Sequence, residues 1–317
     1  MIIIATDEAG YGPKLGPLVV CASVWEISGD DPQASFGQLA TPFVRGRKRI
    51  VVDDSKAVFR PASTRTANDD GYDKLEMVTL AGVRWSGLAD DQVRIAEHLT
   101  PQDADSIAAT PWLQKFACES VPLDGVQPLV EHWCEGDARL RSVEARVVTA
   151  RVFNDWCDSG ANKSDLLSHL TLDLVRRRID ALETSGRAIS VYCDRHGGRR
   201  YYAPPLQAAF DDALVAVATE SKSESHYRVP YGDQPFEIRF TVKGDSFAPV
   251  AFSSMVAKYL REKAMESFNN YFSSRYSGKS PLKPTAGYPV DADRFLEQIG
   301  SVVKADGIDV RELVRKR

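Results

Sequence analysis

Short apolar runs alternate with longer amphipathic stretches along the chain. Residues 2–6 (IIIAT) and residues 17–27 (PLVVCASVWEI) have the length and the β-branched content of buried strands. The glycines and prolines between residues 10 and 17 predict the turn that joins these two strands as a hairpin. Residues 188–193 and 236–242 predict two further strands, because each is a short apolar run that stops at polar residues.

Helical patterns follow these strands. Apolar residues at helical spacing predict helices over residues 165–183 and 253–272, and shorter helices are predicted at residues 291–299 and 308–315. Strands and helices thus alternate after the initial hairpin. This order predicts an α/β fold in which a mixed β-sheet is flanked by helices.

The pattern is weaker between residues 61 and 140. A strand is predicted near residues 78–85, and helices are predicted near residues 90–99 and 103–109. We interpret this stretch as an inserted α+β subdomain. The predicted division of the chain is a main domain formed by residues 1–60 and 141–280, the inserted subdomain at residues 61–140, and a C-terminal helical extension at residues 281–317.

The composition is that of an ordinary globular protein, with 43% hydrophobic and 26% charged residues among 317. No apolar run approaches the roughly 20 residues that span a bilayer, and residues 1–5 are too short for a signal peptide. We therefore expect a cytoplasmic protein without membrane contact. The five cysteines form no C-x-x-C pair, which argues against a disulfide framework or a zinc site. A net charge of −4 excludes a globally basic nucleic-acid-binding protein but leaves a local basic surface open.

Three of the predicted strands end at acidic residues. Asp7 and Glu8 follow the first strand, and Asp194 and Asp245 follow the two later ones. Strand ends in α/β sheets bring side chains together, and clustered carboxylates repel each other unless cations neutralise them. Oxygen ligands suit Mg²⁺ or Mn²⁺, and two such ions about 4 Å apart can hydrolyse a phosphodiester. The alternative is that each acid is an isolated strand-end or surface residue.

A glycine turn and a histidine lie close to these acids in the sequence. The turn Gly10-Tyr11-Gly12-Pro13 starts one residue beyond the acidic pair, and its glycines leave backbone N–H groups open to a close ligand. A hairpin needs such glycines in any case. His196 lies two residues after Asp194 and is a candidate proton shuttle to a leaving group. The alternative is a histidine on the surface or hydrogen-bonded within the fold.

These motifs together resemble a known family. The string Asp7-Glu8-Ala9-Gly10-Tyr11-Gly12-Pro13, followed by Gly16-Pro17-Leu18-Val19-Val20, resembles the signature of type 2 ribonuclease H, which includes ribonuclease HII and its relatives. The match covers roughly residues 1–60 and 143–300. Further matches follow in the family's order: Asp53-Asp54-Ser55-Lys56, Asp194 at a strand end, Lys243-Gly244-Asp245-Ser246, the helix from Ser253-Ser254-Met255 onward, and Gly287-Tyr288-Pro289.

The resemblance implies a ribonuclease H-like fold and a dependence on Mg²⁺ or Mn²⁺. It also implies endonucleolytic cleavage of RNA in RNA–DNA hybrids, or at a ribonucleotide embedded in duplex DNA. The four acids would then be catalytic metal ligands. Backbone groups of Gly10, Tyr11 and Gly12 would bind the 2′-OH, which distinguishes RNA from DNA. Tyr288 would pack on the ribose, and Lys56 would contact a phosphate.

The chain departs from the family pattern at several places. Tyr11 stands where the family usually has Arg or Lys, and residues 61–140 replace a short helical stretch. Residues 195–242 are longer than in the family and begin with a basic and aromatic stretch that ends at Tyr202. These departures keep two alternatives open. One is another nuclease or resolvase on the same fold, and the other is a catalytically silent nucleic-acid-binding protein whose insert at residues 61–140 binds a protein partner.

Overall fold

The strands define the centre of the molecule. The computed structural model describes residues 1–59, 70–182 and 186–316. The strands in these residues are β1 (Ile2–Ala9), β2 (Leu18–Glu26), β3 (Phe43–Arg45), β4 (Lys48–Ile50), β5 (Gln92–Arg94), β6 (Ser120–Pro122), β7 (Arg139–Val148), β8 (Ile189–Asp194), β9 (Ala216–Glu220), β10 (Glu224–Val229) and β11 (Phe236–Thr241).

Seven of these strands form the main sheet, and helices cover both of its faces. Short 3-10 helices lie at Pro111–Leu113 and Gly244–Ser246. The α-helices in the described residues are α1 (Pro32–Ser35), α2 (Ser55–Val58), α3 (Gly71–Trp85), α4 (Ile95–Leu99), α5 (Ala104–Ala109), α6 (Gln114–Cys118), α7 (Gln127–Cys134), α8 (Ala150–Asp158), α9 (Lys163–Asp180), α10 (Ala203–Ala209), α11 (Ala248–Arg275), α12 (Pro289–Ala305) and α13 (Val310–Leu313).

The main sheet contains seven strands in the order β7, β2, β1, β8, β11, β10 and β9. β1 pairs with β2 in the antiparallel sense and with β8 in the parallel sense, and β8 also pairs with β11 in parallel. The predicted hairpin and the predicted strands at residues 188–193 and 236–242 are therefore present. The prediction of an α/β fold with a mixed sheet flanked by helices is confirmed.

Strand alternation divides the core between the two faces of the sheet. Side chains of a strand point to opposite faces in turn. Ile3 and Trp25 accordingly belong to the core on the side of α11, whereas Ile2, Ile4 and Val24 belong to the core on the opposite side, which includes residues of α9 and α10. Burial of these two apolar surfaces is the main force that holds the helices on the sheet.

Helix α11 packs very closely on β1 and β2. The hydroxyl of Ser253, which is fully buried, donates to the carbonyl of Ala5 at 2.9 Å and lies 2.8 Å from the hydroxyl of Ser23. Small side chains with internal hydrogen bonds allow the helix backbone to approach the strands without leaving buried polar groups unsatisfied. This contact fixes the position of Ser254, the next residue of the helix.

Residues 61–140 contain the clearest differences from the sequence-based expectations. The strand predicted at residues 78–85 is wrong, because these residues form the second half of helix α3. The apolar run there is long because the helix packs both on α11 and on α7. The helix predicted at residues 90–99 is only half correct, since strand β5 occupies residues 92–94 and pairs with β6. The predicted division into a main domain, an inserted subdomain and a C-terminal extension stays a prediction.

Residues 195–242 extend the main sheet. They contain helix α10 and the strands β9 and β10, which add two antiparallel strands beyond β11. Two tyrosine hydroxyls of this segment accept backbone N–H groups within it: that of Tyr202 accepts from His196 at 2.9 Å, and that of Tyr227 accepts from Tyr202 at 2.9 Å. Among the helices of the described residues, none is long and apolar enough to cross a membrane.

The close contact between α3 and α11 depends on a glycine. A Cβ atom at Gly82 would overlap the ring of Phe252 on α11, whereas a Cβ atom at Gly300 in α12 would meet no atom within 4 Å. We predict that Gly82→Ala lowers the free energy of unfolding by about 1 to 3 kcal/mol through overpacking. The matched variant Gly300→Ala should raise it by about 0.5 to 1 kcal/mol, because alanine favours the helix.

Urea unfolding followed by circular dichroism measures both effects. Equal changes of stability in the two variants would contradict the packing of α3 on α11 described above.

Candidate active site

The ends of three neighbouring parallel strands meet at one edge of the sheet. Thr6 of β1 lies opposite Cys193 of β8, and Thr241 of β11 lies opposite Asp194. Asp7 is the next residue of β1. The strand register therefore brings Asp7 and Asp194 to the same edge, as the sequence predicted from the strand ends.

Asp7 is buried among negative charges. Its side chain is hydrogen-bonded to Ser254 of α11 and accepts the backbone N–H of Glu8 at 2.7 Å, and the residue is 7% exposed. Burial and the nearby carboxylates of Asp194 and Asp245 raise its pKa to about 7. Removing a carboxylate from water and placing like charges beside it both disfavour the ionised form. A cation is the natural partner for such a group.

A sharp turn brings Asp245 back beside β8. Lys243 has a left-handed φ of 58°, and the 3-10 helix Gly244–Ser246 follows directly. The backbone N–H of Gly244 donates to a carboxylate oxygen of Asp194 at 2.8 Å. A Cβ atom at Gly244 would lie 3.0 Å from the Cα atom of Asp194, so a larger residue would push the turn away from the strand. Asp245 itself is 8% exposed.

Glu8 lies on the other face of β1 from Asp7, as the alternation of a strand requires. Its carboxylate interacts electrostatically with the hydroxyl of Tyr11, and this negative charge contributes to raising the pKa of that hydroxyl, although burial is the main cause. Three of the predicted acids, at positions 7, 194 and 245, thus interact with one another, while the fourth faces the glycine turn.

The oxygen donors at this edge have the chemistry that Mg²⁺ and Mn²⁺ prefer. Buried carboxylates that raise one another's pKa are stabilised when a divalent cation replaces the missing positive charge. Within residues 1–59, 70–182 and 186–316, however, no group of three or more His, Cys, Asp or Glu side chains is assembled as a metal site. The acids nevertheless fit a divalent cation, because they offer oxygen ligands and because such an ion would relieve their mutual repulsion.

The turn after β1 continues into what we call the glycine loop, residues 10–15. Gly10 has a φ of +86°, and a Cβ atom there would lie 2.5 Å from Nε of Arg261 and 2.6 Å from the carbonyl oxygen of Pro17. Only glycine fits this position. At Gly12, by contrast, a Cβ atom would meet nothing within 4 Å, so the outer side of the loop is open to a ligand.

Tyr11, a residue of the glycine loop, contacts helix α9. The ammonium group of Lys163 lies 5.0 Å from its ring centroid, and its hydroxyl is hydrogen-bonded to Ser164. A Cβ atom at Gly197 would lie 3.3 Å from the ring, so the loop after β8 also approaches it. The ring is therefore held by its neighbours on three sides.

Tyr288 and Lys56 are the other two predicted substrate-binding residues. Tyr288 is 53% exposed and interacts electrostatically with the buried Arg261. The carbonyl oxygen of Gly287, the residue before it, accepts from the N–H groups of Lys14 and Leu15 at 2.7 and 3.1 Å. The glycine loop and the tyrosine are thus connected. Lys56 belongs to helix α2, but its side chain lies outside the described part of the structure.

His196 is not placed as a proton shuttle. The residue is 2% exposed, and its ring packs on Tyr202 and Phe240 with centroid distances of 5.4 Å in both cases. Its Nδ1 atom lies 3.0 Å from the hydroxyl of Ser168. Burial, assisted by the charge of Arg199, lowers its pKa to about 3, so the ring is neutral. A neutral histidine inside the core supports the alternative of a structural, hydrogen-bonded residue.

The sequence interpretation missed Ser254 and Arg315. Ser254 contacts Asp7, and its hydroxyl lies 3.0 Å from that of Ser55, so it joins the start of α2 to the acidic cluster. Ser254 lies within a matched motif, but a serine in a helix gives no sign of which acid it faces. Arg315 donates to the carbonyl of Gly10 from more than 300 residues away along the chain, which no local pattern could indicate.

Comparisons with known proteins identify structural relatives only. No protein-family model matches the sequence, and no curated protein matches it significantly. Solved structures that match nearly all of the chain include ribonucleases of the HII and HIII types. Bst-RNase HIII in complex with Mn²⁺ is 15% identical with a TM-score of 0.43, and the match covers 100% of this chain and 66% of that one.

Two archaeal structures match over most of their own length. Ribonuclease H2 from Pyrococcus horikoshii OT3 is 14% identical with a TM-score of 0.41, and the match covers 99% of this chain and 92% of that one. RNase HII from Archaeoglobus fulgidus, solved in a complex with PCNA, is 13% identical with a TM-score of 0.42, and the match covers 100% and 95%. Because these values are low, a functional conclusion must rest on the residues of this chain.

The charge around Asp7 predicts an unusual effect on stability. In EDTA at pH 8, Asp7→Asn should raise the free energy of unfolding by about 1 to 3 kcal/mol, because it removes a buried charge that other acids repel. Asp103 is a matched control: it is also 7% exposed, but it accepts from Arg146 at 3.0 Å and from the N–H of Val147 at 2.7 Å. Asp103→Asn should lower stability by about 3 kcal/mol.

The measurement is urea unfolding of the two variants beside the wild type. A loss of stability in Asp7→Asn as large as that in Asp103→Asn would show that Asp7 is not surrounded by negative charge.

Proposed function

We propose that this protein is a metal-dependent endoribonuclease of the ribonuclease H type. Its substrates would be the RNA strand of RNA–DNA hybrids or ribonucleotides embedded in duplex DNA. The observation that carries the proposal is the cluster of Asp7, Asp194 and Asp245 at the ends of three neighbouring strands, with the pKa of Asp7 raised by burial and by the other two acids. The glycine loop beside this cluster supports the choice of substrate.

The metal ligands in this proposal are Asp7, Glu8, Asp194 and Asp245, and the metal is Mg²⁺ or Mn²⁺. When bound, two such ions activate a water molecule and stabilise the leaving oxygen of a phosphodiester. The residues around the acids keep them in place. Ser254 holds the side chain of Asp7, and the backbone N–H of Gly244 holds that of Asp194. Orienting contacts of this kind restrict the carboxylates to directions that suit a metal.

Recognition of RNA is assigned to the glycine loop and to Tyr288. The outer side of Gly12 is open, and the ring of Tyr288 is half exposed beside the same loop. Backbone N–H groups that approach a sugar closely can bind the 2′-OH, which DNA lacks. A half-exposed aromatic ring can at the same time pack on the ribose. We therefore assign the choice between RNA and DNA to this corner of the site.

A second nucleic-acid contact is proposed for the segment after β8. Tyr201 is 58% exposed, and the guanidinium group of Arg200 lies 5.7 Å from its ring centroid. Basic and aromatic side chains in combination suit a nucleic-acid strand, since the cation attracts phosphate and the ring stacks on a base. A protein partner for residues 61–140 stays a prediction from the sequence alone.

Cleavage of three matched duplexes tests the proposal. With Mn²⁺ or Mg²⁺, we predict cleavage of an RNA–DNA hybrid and of a DNA duplex that contains one ribonucleotide, but not of an all-DNA duplex. Asp7→Asn and Asp245→Asn should each lower kcat by at least about a hundredfold, because they remove a metal ligand. Asp105, an exposed acid on α5, gives the control variant Asp105→Asn, which should cleave like the wild type.

Other outcomes favour the alternatives. Equal cleavage of the all-DNA duplex would indicate another nuclease or resolvase. Binding of the hybrid without any cleavage would indicate a catalytically silent nucleic-acid-binding protein. Undiminished cleavage by Asp7→Asn would refute the assignment of the metal ligands.

Tyr11 allows a separate test of substrate binding. If its ring contacts the substrate by stacking, Tyr11→Phe should keep the KM for the hybrid, whereas Tyr11→Ala should raise it about tenfold, in line with the about 1 to 3 kcal/mol of one aromatic stacking contact. Steady-state kinetics with the hybrid measures both values. A rise of KM in Tyr11→Phe equal to that in Tyr11→Ala would show that the hydroxyl, through its contact with Ser164, is the part that matters.

A further inference from the structure

Hydrogen bonds from a segment near the C-terminus hold the inner side of the glycine loop. The backbone N–H of Arg315 donates to the carbonyl of Lys14 at 3.0 Å, and Val314 forms an isolated antiparallel β-bridge with Leu15. The guanidinium group of Arg315 donates to the carbonyl of Gly10 at 2.7 Å and also to that of Pro13. We call residues 314–315 the C-terminal clasp.

Helix α8 anchors the clasp independently. The side-chain amide of Asn154 donates to the carbonyls of Arg311 and Val314 at 2.7 and 2.8 Å, and its oxygen accepts the N–H of Lys316 at 2.7 Å. Asn154 is 1% exposed, so these bonds are shielded from water. The clasp is therefore fixed on one side by α8 and binds the glycine loop with the other.

Arg315 is an unusual residue to bury. It is 3% exposed, and among the described residues it forms no ion pair with a carboxylate, while its Nε and Nη1 atoms have no hydrogen-bond partner. Arg261, 5% exposed, lies under the same loop and donates to the carbonyl of Ala286. Burial and the charge of Arg261 lower the pKa of Arg315 to about 9. Its guanidinium group lies 5.1 Å from the ring centroid of Phe153, but a buried cation that has no carboxylate partner among the described residues still costs folding free energy, so stability alone is a poor reason for its presence.

The orientation of the loop suggests what the arginine does. The carbonyl of Gly10 belongs to the same peptide group as the N–H of Tyr11, and this carbonyl points inward to Arg315. Within the described part of the chain, the N–H groups of Tyr11 and Gly12 have no acceptor. A carbonyl that accepts from a cation polarises its peptide group, which makes the N–H on the other side a stronger donor.

We propose that Arg315 is a positioning residue for the ribonucleotide. It acts through the glycine loop, which it fixes so that the N–H groups of Tyr11 and Gly12 face the sugar of the substrate. This inference rests on the proposed function, because the loop is assumed there to bind the 2′-OH. The clasp itself can be measured on the free protein, so the two proposals can fail separately.

The main test variant is Arg315→Met, which keeps much of the side-chain volume but removes the charge and the donors. Arg315→Lys keeps the charge and supplies N–H donors from a single nitrogen. Asn154→Ala removes the anchor of the clasp without changing the side chain of Arg315 itself. Asp158→Asn is the control, because the ion pairs of Asp158 in the described residues are with the exposed side chains of Arg311 and Lys316, and exposed ion pairs contribute little to stability. Thermal unfolding of each variant fixes a temperature at which all are folded.

Amide hydrogen exchange reports on the clasp without any substrate. The N–H groups of Lys14 and Leu15 donate to Gly287, and that of residue 315 donates to Lys14. We expect exchange at these three amides to be about tenfold faster in Arg315→Met and in Asn154→Ala, because the local hydrogen bonds open more often. Exchange in Asp158→Asn should match the wild type. Unchanged exchange in Arg315→Met would overturn the clasp.

Kinetics then separates positioning from a purely structural role. For a DNA duplex with one ribonucleotide, Arg315→Met should raise KM about tenfold, the value of one lost charge-assisted contact, with kcat changed less than about threefold. Arg315→Lys should recover part of the loss. Binding of an all-DNA duplex should not change, because it offers no 2′-OH to the loop.

Each remaining result has one meaning. Faster exchange with an unchanged KM would show that the clasp holds a loop that does not bind the substrate, which overturns the positioning role. Equal losses for the ribonucleotide-containing and all-DNA duplexes would overturn it as well. Wild-type protein that cleaves no duplex would refute the proposed function and the positioning role together, while the exchange data would still establish the clasp.

Discussion

The rest of the site depends on the repulsion among carboxylates at the ends of β1, β8 and β11. Parallel strands in register deliver Asp7 and Asp194 to one edge, and a left-handed turn at Lys243 returns Asp245 to it. A protein keeps like charges together only if the surrounding packing outweighs their repulsion. Here that packing is the contact of α11 with the sheet, where Ser253 bonds to Ala5 of β1.

The two sides of the glycine loop differ. The inner side is tightly packed, and the outer side is open. On the inner side, Gly10 fits against Arg261 with no room for a side chain. On the outer side, Gly12 and the ring of Tyr288 face open space. The proposed distinction between ligands by a single hydroxyl needs this combination, since a donor selects well only when its own position is fixed.

Sequence patterns predicted the parts of the structure that local order determines. The hairpin of β1 and β2, the strand ends and the long helix α11 follow from apolar runs, turns and helical spacing. The pattern failed at residues 78–85, because an apolar run buried on several sides looks alike in a helix and in a strand. For His196 the sequence left a proton shuttle and a structural histidine both open, because its burial depends on contacts with Phe240 and Tyr202 that form only in the tertiary fold. The clasp by residues 314–315 is a tertiary contact of the same kind.

The bridge between Leu15 and Val314 also has a consequence for biosynthesis. Residues 10–15 are synthesised some 300 residues before the segment that holds them. Contacts so distant along the chain form late in folding, after the loop-closure entropy has been overcome. A nascent chain can therefore complete the sheet and collect its acidic residues while the glycine loop is still unsupported. The glycine loop, which we propose to bind the 2′-OH, can then take its final shape only after the sheet has formed.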